Sequence, residues 1–301
     1  MKIDDYKKIY NKISGQLKID YCLKNSTWMN IGGKAKIFFK PESLKDLIIF
    51  LKLSVNEKIH ILGAGSNLLI KEDLDDKIFI KLGKSFNKIS ILQDNLIVSG
   101  CSVSDKSLAK FALDNSLSGL EFLSCIPGSV GGGIRMNSGC FGSEFKDVLV
   151  SIQTIDFNGN VRSIKAEDIK FGYRETSLPR DMIFLSATFK CRKKDQNQIR
   201  ELMDKLKLKK ETSQPSRIKT GGSTFKNPTN QTEKKVWELI KDSVPENIHF
   251  GDAKISPKHS NFFINDGNAT FEDMLKLINY VKTEVKKKKG ISLDLELEII
   301  K

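Results

Sequence analysis

The chain has 301 residues, of which 39% are hydrophobic, so it is long enough to bury two or three compact cores. No run approaches the eighteen or so apolar residues of a membrane span, and residues 1–5 lack the apolar core of a signal peptide. We therefore expect a multidomain cytoplasmic protein with no membrane partner. The net charge of +13 comes from lysines spread along the whole length, which favours a lysine-rich composition over a nucleic-acid-binding patch.

In chain order, the first half of the sequence predicts short strands and two helices. Ser43 is expected to cap the first helix, and residues 105–115 are expected to form the second, burying Leu108, Phe111 and Ala112. The predicted strands are residues 37–39, 60–62, 78–82, 89–92 and 96–101.

The second half begins with a mostly β pattern over residues 148–190, with Asn158-Gly159 as a hairpin turn and residues 182–190 as a buried strand. A composition change then marks a second part of the chain. It is predicted to contain a charged helix at 195–210, a linker at 211–216, helices at 232–242 and 271–288 and a last strand at 293–300.

Two other features have plain structural readings. The densest basic run, residues 286–289, is predicted to end a helix, because cations complement the helix dipole there and Gly290 supplies a stop. The five cysteines are odd in number and form no CxxC pair, so no disulfide framework or zinc site is predicted. We expect small core residues at Cys22, Cys101, Cys125, Cys140 and Cys191.

Residues 61–67, ILGAGSN, run from an apolar strand into a glycine-rich turn. The glycines permit positive φ and a close backbone approach, and the serine and asparagine add short donors, so the turn is a candidate for binding a diphosphate. A Rossmann fingerprint is disfavoured, because Leu68 stands where a third glycine is required and no helix follows. A tight turn between strands is the alternative.

Residues 125–139, CIPGSVGGGIRMNSG, hold five glycines and a proline in fifteen positions. Each glycine costs about 0.5–1 kcal/mol relative to alanine in regular structure, so this density indicates a backbone that lies close to another surface. A glycine-rich structural corner is the alternative. Together the two segments favour a large cofactor.

Further short motifs follow in a fixed order, and with them the chain resembles the UDP-N-acetylenolpyruvoylglucosamine reductases, also called UDP-N-acetylmuramate dehydrogenases. These are FAD enzymes of the second step of peptidoglycan precursor synthesis. The resemblance covers roughly residues 25 to 301 and rests on the two glycine-rich segments together with TWMNIGG (27–33), FGYRET (171–176), GGSTFKNP (221–228), HSNFFIN (259–265) and LDLELE (293–298).

The resemblance implies an α+β fold. Two subdomains, expected at residues 1–83 and 84–194, would hold FAD as in flavoproteins of the vanillyl-alcohol-oxidase (PCMH) type. A C-terminal α+β substrate-binding domain is expected at 195–301, with its last strand returning to the active site. NADPH would reduce the flavin, which would pass a hydride from N5 to C3 of UDP-N-acetylglucosamine enolpyruvate and yield UDP-N-acetylmuramate. A monomer without a metal or a nucleic-acid partner is expected.

The resemblance also implies binding residues. Substrate contacts fall on Tyr173, Arg174, Lys226, Asn227 and His259, although a satisfied structural histidine is an alternative for the last. FAD contacts fall on Gly63, Ala64, Gly65, Ser66, Asn67, Leu68, Ser124, Pro127, Gly128, Ser129, Gly131, Gly132, Asn137 and Gly139.

Three residues match the family's catalytic positions. Arg174 would bind the enolpyruvyl carboxylate and stabilise the enolate, with a strand arginine paired to Glu175 as the alternative. Ser223 would donate a proton to C2, with a simple turn serine as the alternative. Glu296 would polarise the enolpyruvyl group or relay a proton, while Glu298 is the competing assignment because it shares a strand face.

Rival functions remain open at this point. One rival is another FAD oxidoreductase of the same fold, an alcohol or sugar oxidase. The other is a catalytically silent nucleotide- or RNA-binding protein.

The Gly83-Lys84-Ser85 triplet does not complete a P-loop, because the first glycine of that motif would fall on Ile78. Residues 174–223 leave no room for an inserted tyrosine loop, so a short-class member of the family with a more open substrate channel is expected.

Overall fold

A computed structural model describes the backbone of residues 3–301 and all their side chains except those of Ile3 and Asp75. The helices in this range are α1 (Ile3–Lys7), α2 (Leu44–Leu53), α3 (Asp105–Asp114), α4 (Val130–Arg135), α5 (Gln196–Ser213), α6 (Val236–Ser243) and α7 (Phe271–Lys289). The strands are β1 (Gln16–Cys22), β2 (Lys34–Lys40), β3 (Ile59–Ile61), β4 (Leu68–Ile70), β5 (Asp73–Ile80), β6 (Ile89–Ile91), β7 (Leu96–Gly100), β8 (Leu117–Ser118), β9 (Gly139–Cys140), β10 (Ser143–Glu144), β11 (Leu149–Asp156), β12 (Val161–Lys165), β13 (Phe171–Gly172), β14 (Glu175–Thr176), β15 (Met182–Lys190), β16 (Arg192–Lys193), β17 (Thr220–Ser223), β18 (His249–Phe250), β19 (Ala253–Ser256), β20 (His259–Asn265) and β21 (Glu298–Ile300).

The chain folds into two compact units, each built from three separate segments. The first unit contains the residues up to Tyr21, Lys36–Ala64 and Asp76–Lys209, and the second contains Cys22–Ala35, Gly65–Asp75 and Lys210–Lys301. Parallel strand pairs (β3/β5 and β21/β4) occur beside antiparallel sheets, so the predicted α+β class is confirmed. No helix of the described chain is long and apolar enough to span a membrane.

One sheet of the first unit has the strand order β1-β2-β5-β3 and packs against α2. The helix starts where the sequence predicts, because the Ser43 side chain accepts the N–H of Asp46. Its apolar face meets β2, where the rings of Phe39 and Phe50 stack with centroids 4.2 Å apart.

The other large sheet of this unit is antiparallel, with the order β12-β11-β15-β7-β6. The predicted strand β15 lies in it and is buried on both faces: Met182 and Phe184 point into one core, and Ile183 and Leu185 into another. This explains why the sequence is apolar at four consecutive positions. The predicted Asn158-Gly159 hairpin turn is also confirmed, connecting β11 to β12 with Gly159 at φ +90°.

The second unit has an antiparallel sheet of order β17-β20-β19-β18 together with α6 and α7. Helix α7 begins with a capping box between Thr270 and Asp273 and ends at Gly290, which adopts φ +73°. The predicted helix at 271–288 with a lysine-rich end is therefore confirmed. The buried residues of α7 recur at helical spacing: Phe271, Met274, Leu277, Ile278, Val281 and Val285.

Several predicted elements differ from the structure at their ends. Helix α5 continues to Ser213 and so takes up half of the predicted linker. Helix α6 begins at Val236 rather than 232, because the Asn227 side chain accepts the N–H of Val236 and Lys235 is extended. The predicted strand at 293–300 is regular only from Glu298. Before that, Leu295 forms an isolated antiparallel β-bridge with Phe225.

Three residues are also less buried than expected. Cys22 is exposed rather than a core residue, and Cys140 is only partly buried, whereas the other cysteines are buried as expected. Phe111 is likewise only partly buried on α3.

Candidate active site

A cavity of about 410 Å³ lies within the first unit, and both glycine-rich segments line it. A Cβ atom on Gly63 would lie only 2.7 Å from Oγ of Ser129, so the two segments are in direct contact. The structure thereby brings together Gly63, Ala64, Gly128, Ser129, Gly131 and Gly132 of the residues expected to contact FAD.

The second glycine-rich segment contains the short helix α4 rather than a continuous loop. Two of its first amides are used internally, since Val130 and Gly131 donate to the carbonyls of Val103 and Cys101. A Cβ on Gly133 would lie 2.2 Å from the ring of Phe145, so any larger residue would force the packing to shift. The glycines therefore let α4 pack tightly against its neighbours and leave its remaining face, at Gly132, open to the cavity.

The cavity is positively charged, with Lys40, Lys81, Lys84 and Arg135 around it, and none of the described residues that line it is acidic. Partial burial lowers the pKa of Lys81, and the positive charge of Lys40 lowers it further. Four cations around one cavity create a potential suited to an anionic ligand, and the neighbouring Glu42 carboxylate, which accepts the Lys84 N–H at 2.9 Å, offsets only part of that charge. A diphosphate-containing cofactor such as FAD fits this combination of cations and side-chain-free backbone.

Arg135 is fixed in the cavity wall by its neighbours. Its guanidinium donates to the carbonyls of Leu178, Pro179 and Met182 at 2.8–2.9 Å. It also lies over the ring of Phe184, 4.2 Å from the ring centroid.

Four residues expected to contact FAD lie in the first unit but do not line this cavity: Ser124, Pro127, Asn137 and Gly139. The Ser124 hydroxyl donates to the Glu121 carbonyl at 2.6 Å. Asn137 is completely buried, and the Gly139 carbonyl accepts a hydrogen bond from the Arg174 guanidinium at 3.1 Å. Ser124, Asn137 and Gly139 thus contact other protein groups rather than the cavity.

The turn that carries Tyr173 and Arg174 connects β13 to β14. Arg174 has φ +61°, a left-handed conformation that is unusual for a residue with a side chain. Its guanidinium lies 5.1 Å from the centroid of the Tyr173 ring. The side chain is therefore held by both the ring and the Gly139 carbonyl.

Four other expected FAD contacts, Gly65, Ser66, Asn67 and the adjoining Leu68, belong to the second unit. Gly65 has φ +71°, and a Cβ on it would lie 2.0 Å from the Ser26 carbonyl oxygen, so only glycine fits there. The Asn67 side chain donates to the carbonyl of Glu296 at 2.9 Å. Leu68 begins β4, which pairs with β21.

The second unit also brings the segments of Ser223 and Glu296 together. The carbonyl of Thr224 accepts the N–H groups of Glu296 and Leu297, at 2.9 and 3.3 Å. Gly222, with φ +79°, turns the chain immediately before Ser223. Two of the three predicted catalytic residues thus lie on hydrogen-bonded neighbouring segments.

The predicted substrate residues of the second unit differ in their surroundings. The backbone N–H of Lys226 donates to the backbone carbonyl of Asp294, while the side-chain oxygen of Asn227 accepts the first N–H of α6. His259 is half-buried, and this burial lowers its pKa, which favours the neutral imidazole.

An aromatic group surrounds the His259 ring. The Phe262 ring lies 4.8 Å from it in an edge-on arrangement, and the partly exposed Trp237 ring lies 6.3 Å away, between centroids. The Nδ1 atom accepts the N–H of Asn261 at 3.2 Å. These contacts suit either of the two predicted roles of His259.

Sequence reasoning missed the cationic residues of the cavity. Lys81 was recognisable in principle, because it interrupts the apolar run of residues 78–82 and a charge inside a buried strand needs a reason. Gly83 and Lys84 line the cavity although the triplet they begin is no P-loop. No local pattern marks Lys40 or Arg135.

Comparison with known proteins supports the resemblance seen in the sequence. Residues 214–300 match the family model described as the C-terminal domain of UDP-N-acetylenolpyruvoylglucosamine reductase, and residues 35–165 match a model described as an FAD binding domain. Proteins named UDP-N-acetylenolpyruvoylglucosamine reductase are 56% identical in Pelagibacter ubique (strain HTCC1062), over all of both chains, and 43% identical in Rickettsia typhi (strain ATCC VR-144 / Wilmington), over 96% of this chain and 97% of the relative.

A solved structure is also similar. The crystal structure of UDP-N-acetylenolpyruvylglucosamine reductase (MurB) from Thermus caldophilus superposes with a TM-score of 0.82 at 28% identity. The match covers 96% of this chain and all of the other.

Proposed function

We propose a function from one premise: the chain belongs to the UDP-N-acetylenolpyruvoylglucosamine reductase family. It reduces UDP-N-acetylglucosamine enolpyruvate to UDP-N-acetylmuramate, with FAD as cofactor and NADPH as electron donor. The observation that carries this proposal is the 56% identity to a reductase over the whole chain. The cavity lined by both glycine-rich segments supports it independently, because it provides a cationic, glycine-walled site within the FAD-binding part of the chain.

FAD, when bound, would supply the hydride chemistry between NADPH and the enolpyruvyl group. The protein's task is to bind it and to exclude water. The backbone at Gly63 and Gly132 gives the cofactor room, and the ammonium groups of Lys40, Lys81 and Lys84 attract its diphosphate.

Arg174 binds the substrate carboxylate in this proposal. A guanidinium is a permanent planar cation that matches a carboxylate with two parallel hydrogen bonds. Because negative charge develops on the enolpyruvyl group as the hydride arrives at C3, a fixed cation lowers the energy of that state. The contacts of Arg174 with Gly139 and Tyr173 fix the guanidinium before substrate binds.

Ser223 donates the proton to C2. A serine hydroxyl is a weak acid and donates only to a strongly basic acceptor, which an enolate-like carbanion is. Glu296, on the neighbouring segment, polarises the group or relays a proton. We assign Glu296 rather than Glu298, because the Glu296 N–H bonds the carbonyl of Thr224, next to Ser223, whereas Glu298 pairs with β4.

Tyr173, Lys226, Asn227 and His259 complete the substrate contacts. We further propose that the chain is a short-class, monomeric, cytoplasmic enzyme without a metal or a nucleic-acid partner. The domain boundaries at 83/84 and 194/195 belong to the same proposal.

The test is a flavin spectrum. Purified protein should carry or take up FAD, its visible absorbance should bleach with NADPH, and the enolpyruvyl substrate should restore it anaerobically. Protein that stays colourless with added FAD would contradict the proposal. Steady oxygen consumption with an alcohol or a sugar would identify an oxidase instead, and salt-sensitive RNA binding without flavin would identify a nucleic-acid-binding protein.

A further inference from the structure

The side chain of Asn137 makes three hydrogen bonds within the protein, and both of its N–H donors are used. Its amide nitrogen donates to Oε2 of Glu144 at 2.9 Å and to the carbonyl of Gly172 at 3.1 Å. Its oxygen accepts the N–H of Lys146 at 3.1 Å. The residue is 0% exposed, so neither FAD nor substrate can reach it.

The bond to Gly172 restrains the turn that carries Arg174. Gly172 pairs with Glu175 at the end of β13, and Arg174 lies inside the turn that this pair closes. The same chain segment holds the turn a second time, because the Gly139 carbonyl accepts a hydrogen bond from the Arg174 guanidinium. Residues 137–139 therefore restrain both Gly172, where the turn begins, and the guanidinium of Arg174.

The conformation of the turn shows why such restraint is needed. Arg174 has φ +61°, which a residue with a Cβ rarely adopts unless its surroundings hold it there. Asn137 itself has φ +40°, a region that asparagine tolerates better than most residues. An asparagine here combines the required backbone conformation with two donors and one acceptor.

We propose that Asn137 is a positioning residue for Arg174, holding the 172–175 turn so that the guanidinium is in place for the substrate carboxylate. It acts through Gly172 rather than by contact with FAD. This inference rests on the proposed role of Arg174.

The test separates the two half-reactions in the Asn137→Gly variant, which keeps the backbone conformation accessible and removes all three hydrogen bonds. FAD affinity and flavin reduction by NADPH should stay within about twofold of wild type, while reoxidation by the enolpyruvyl substrate should slow about 10- to 100-fold, as expected for a displaced binding group. In an Arg174→Ala background, the same change should slow reoxidation by less than about twofold further, because its effect passes through the arginine.

Three outcomes would overturn the inference. FAD affinity reduced tenfold or more, with normal reoxidation per bound flavin, would identify a cofactor contact. An undiminished effect of Asn137→Gly in the Arg174→Ala background would identify a general structural role. Wild-type behaviour of Asn137→Gly would refute any role, whereas a wild-type protein without flavin chemistry would refute the proposed function itself.

A second variant covers the case in which Asn137→Gly does not fold. Glu144→Ala removes one partner of the Asn137 amide and changes a side chain that is 25% exposed. It should slow reoxidation by the substrate in the same direction and by a smaller factor, with FAD affinity unchanged. Unchanged reoxidation in this variant would count against the positioning role.

Discussion

The side-chain amide of Asn67 donates a 2.9 Å hydrogen bond to the backbone carbonyl of Glu296, 229 residues further along the chain. The backbone carbonyl of Asn67 in turn accepts the N–H of Glu298 at 3.1 Å. The first glycine-rich segment thus holds the segment that carries the proposed catalytic glutamate. A residue expected to bind the cofactor therefore also restrains the backbone at Glu296.

Replacing Asn67 should therefore affect two steps. In Asn67→Ala, FAD affinity should fall because a proposed cofactor contact is lost. Reoxidation by the substrate, measured at saturating FAD, should slow about tenfold because Glu296 loses its restraint. Ser66→Ala, the neighbouring control, should weaken FAD binding alone. Equal reoxidation rates in the two variants would show that the hydrogen bond to Glu296 has no catalytic importance.

Replacing Ser223 should separate the half-reactions completely. In Ser223→Ala, NADPH should still bleach the flavin at near the wild-type rate, while the enolpyruvyl substrate should reoxidise it at least about 100-fold more slowly, since general-acid groups contribute factors of this size. Stopped-flow absorbance measures both steps. Thr224→Val is the control, because the Thr224 hydroxyl is buried without a hydrogen-bond partner and valine has nearly the same shape. If Ser223→Ala reoxidised normally, another residue would be the proton donor.

The sequence predicted those elements whose signals are local. The Ser43 cap, the Gly290 stop and the apolar run of β15 are each indicated by a few neighbouring residues, and each was found. The density of glycines in residues 125–139 also indicated correctly that this backbone lies close to neighbouring groups. It could not distinguish a loop from α4, because Gly133 is required by Phe145, a contact that only tertiary structure reveals.

The connections between distant residues were beyond sequence reasoning. Asn67 was interpreted from its neighbours in the loop, and nothing local indicates that its side chain meets Glu296. The cationic residues of the cavity likewise come from distant places in the chain: Lys40 ends β2, Lys81 follows β5 and Arg135 ends α4. For the proposed catalytic residues, the family resemblance supplied what periodicity could not.

Adjacent glycines of α4 should respond differently to alanine. Gly133→Ala places a methyl group 2.2 Å from the Phe145 ring and should destabilise the protein by about 1–3 kcal/mol, the usual cost of overpacking. Gly132→Ala meets only Ser129 Oγ, at 3.5 Å, and should stabilise the apoprotein by up to about 1 kcal/mol through helix propensity. Because Gly132 lines the cavity, that second variant should bind FAD more weakly. Urea unfolding of the apoproteins and FAD titrations measure these effects, and a Gly133→Ala protein as stable as wild type would contradict the packing argument.

Asp105, the first residue of α3, should make stability depend on pH. Both of its carboxyl oxygens are buried without a hydrogen-bond partner, and burial raises its pKa to about 8. Between about pH 4 and pH 8 the unfolded chain has lost this proton and the folded chain retains it. The contribution of Asp105 to the free energy of unfolding therefore falls as pH rises, by up to about 1.4 kcal/mol per pH unit. Asp105→Asn should therefore gain stability relative to wild type over this window, in urea titrations at pH 5 and pH 8.

A second buried acid provides the opposite control. Burial acts to raise the pKa of Asp46, but hydrogen bonds from the N–H groups of Ser14 and Glu42 outweigh it, and the pKa is lowered. The ionised Asp46 therefore stabilises the folded state above its unfolded pKa of about 4, and this contribution is lost as pH falls through the lowered folded value. Asp46→Asn should lose stability at neutral pH, with the deficit shrinking in acid. If both asparagine variants shifted stability in the same direction at pH 8, hydrogen bonding would not be what distinguishes the two carboxyl groups.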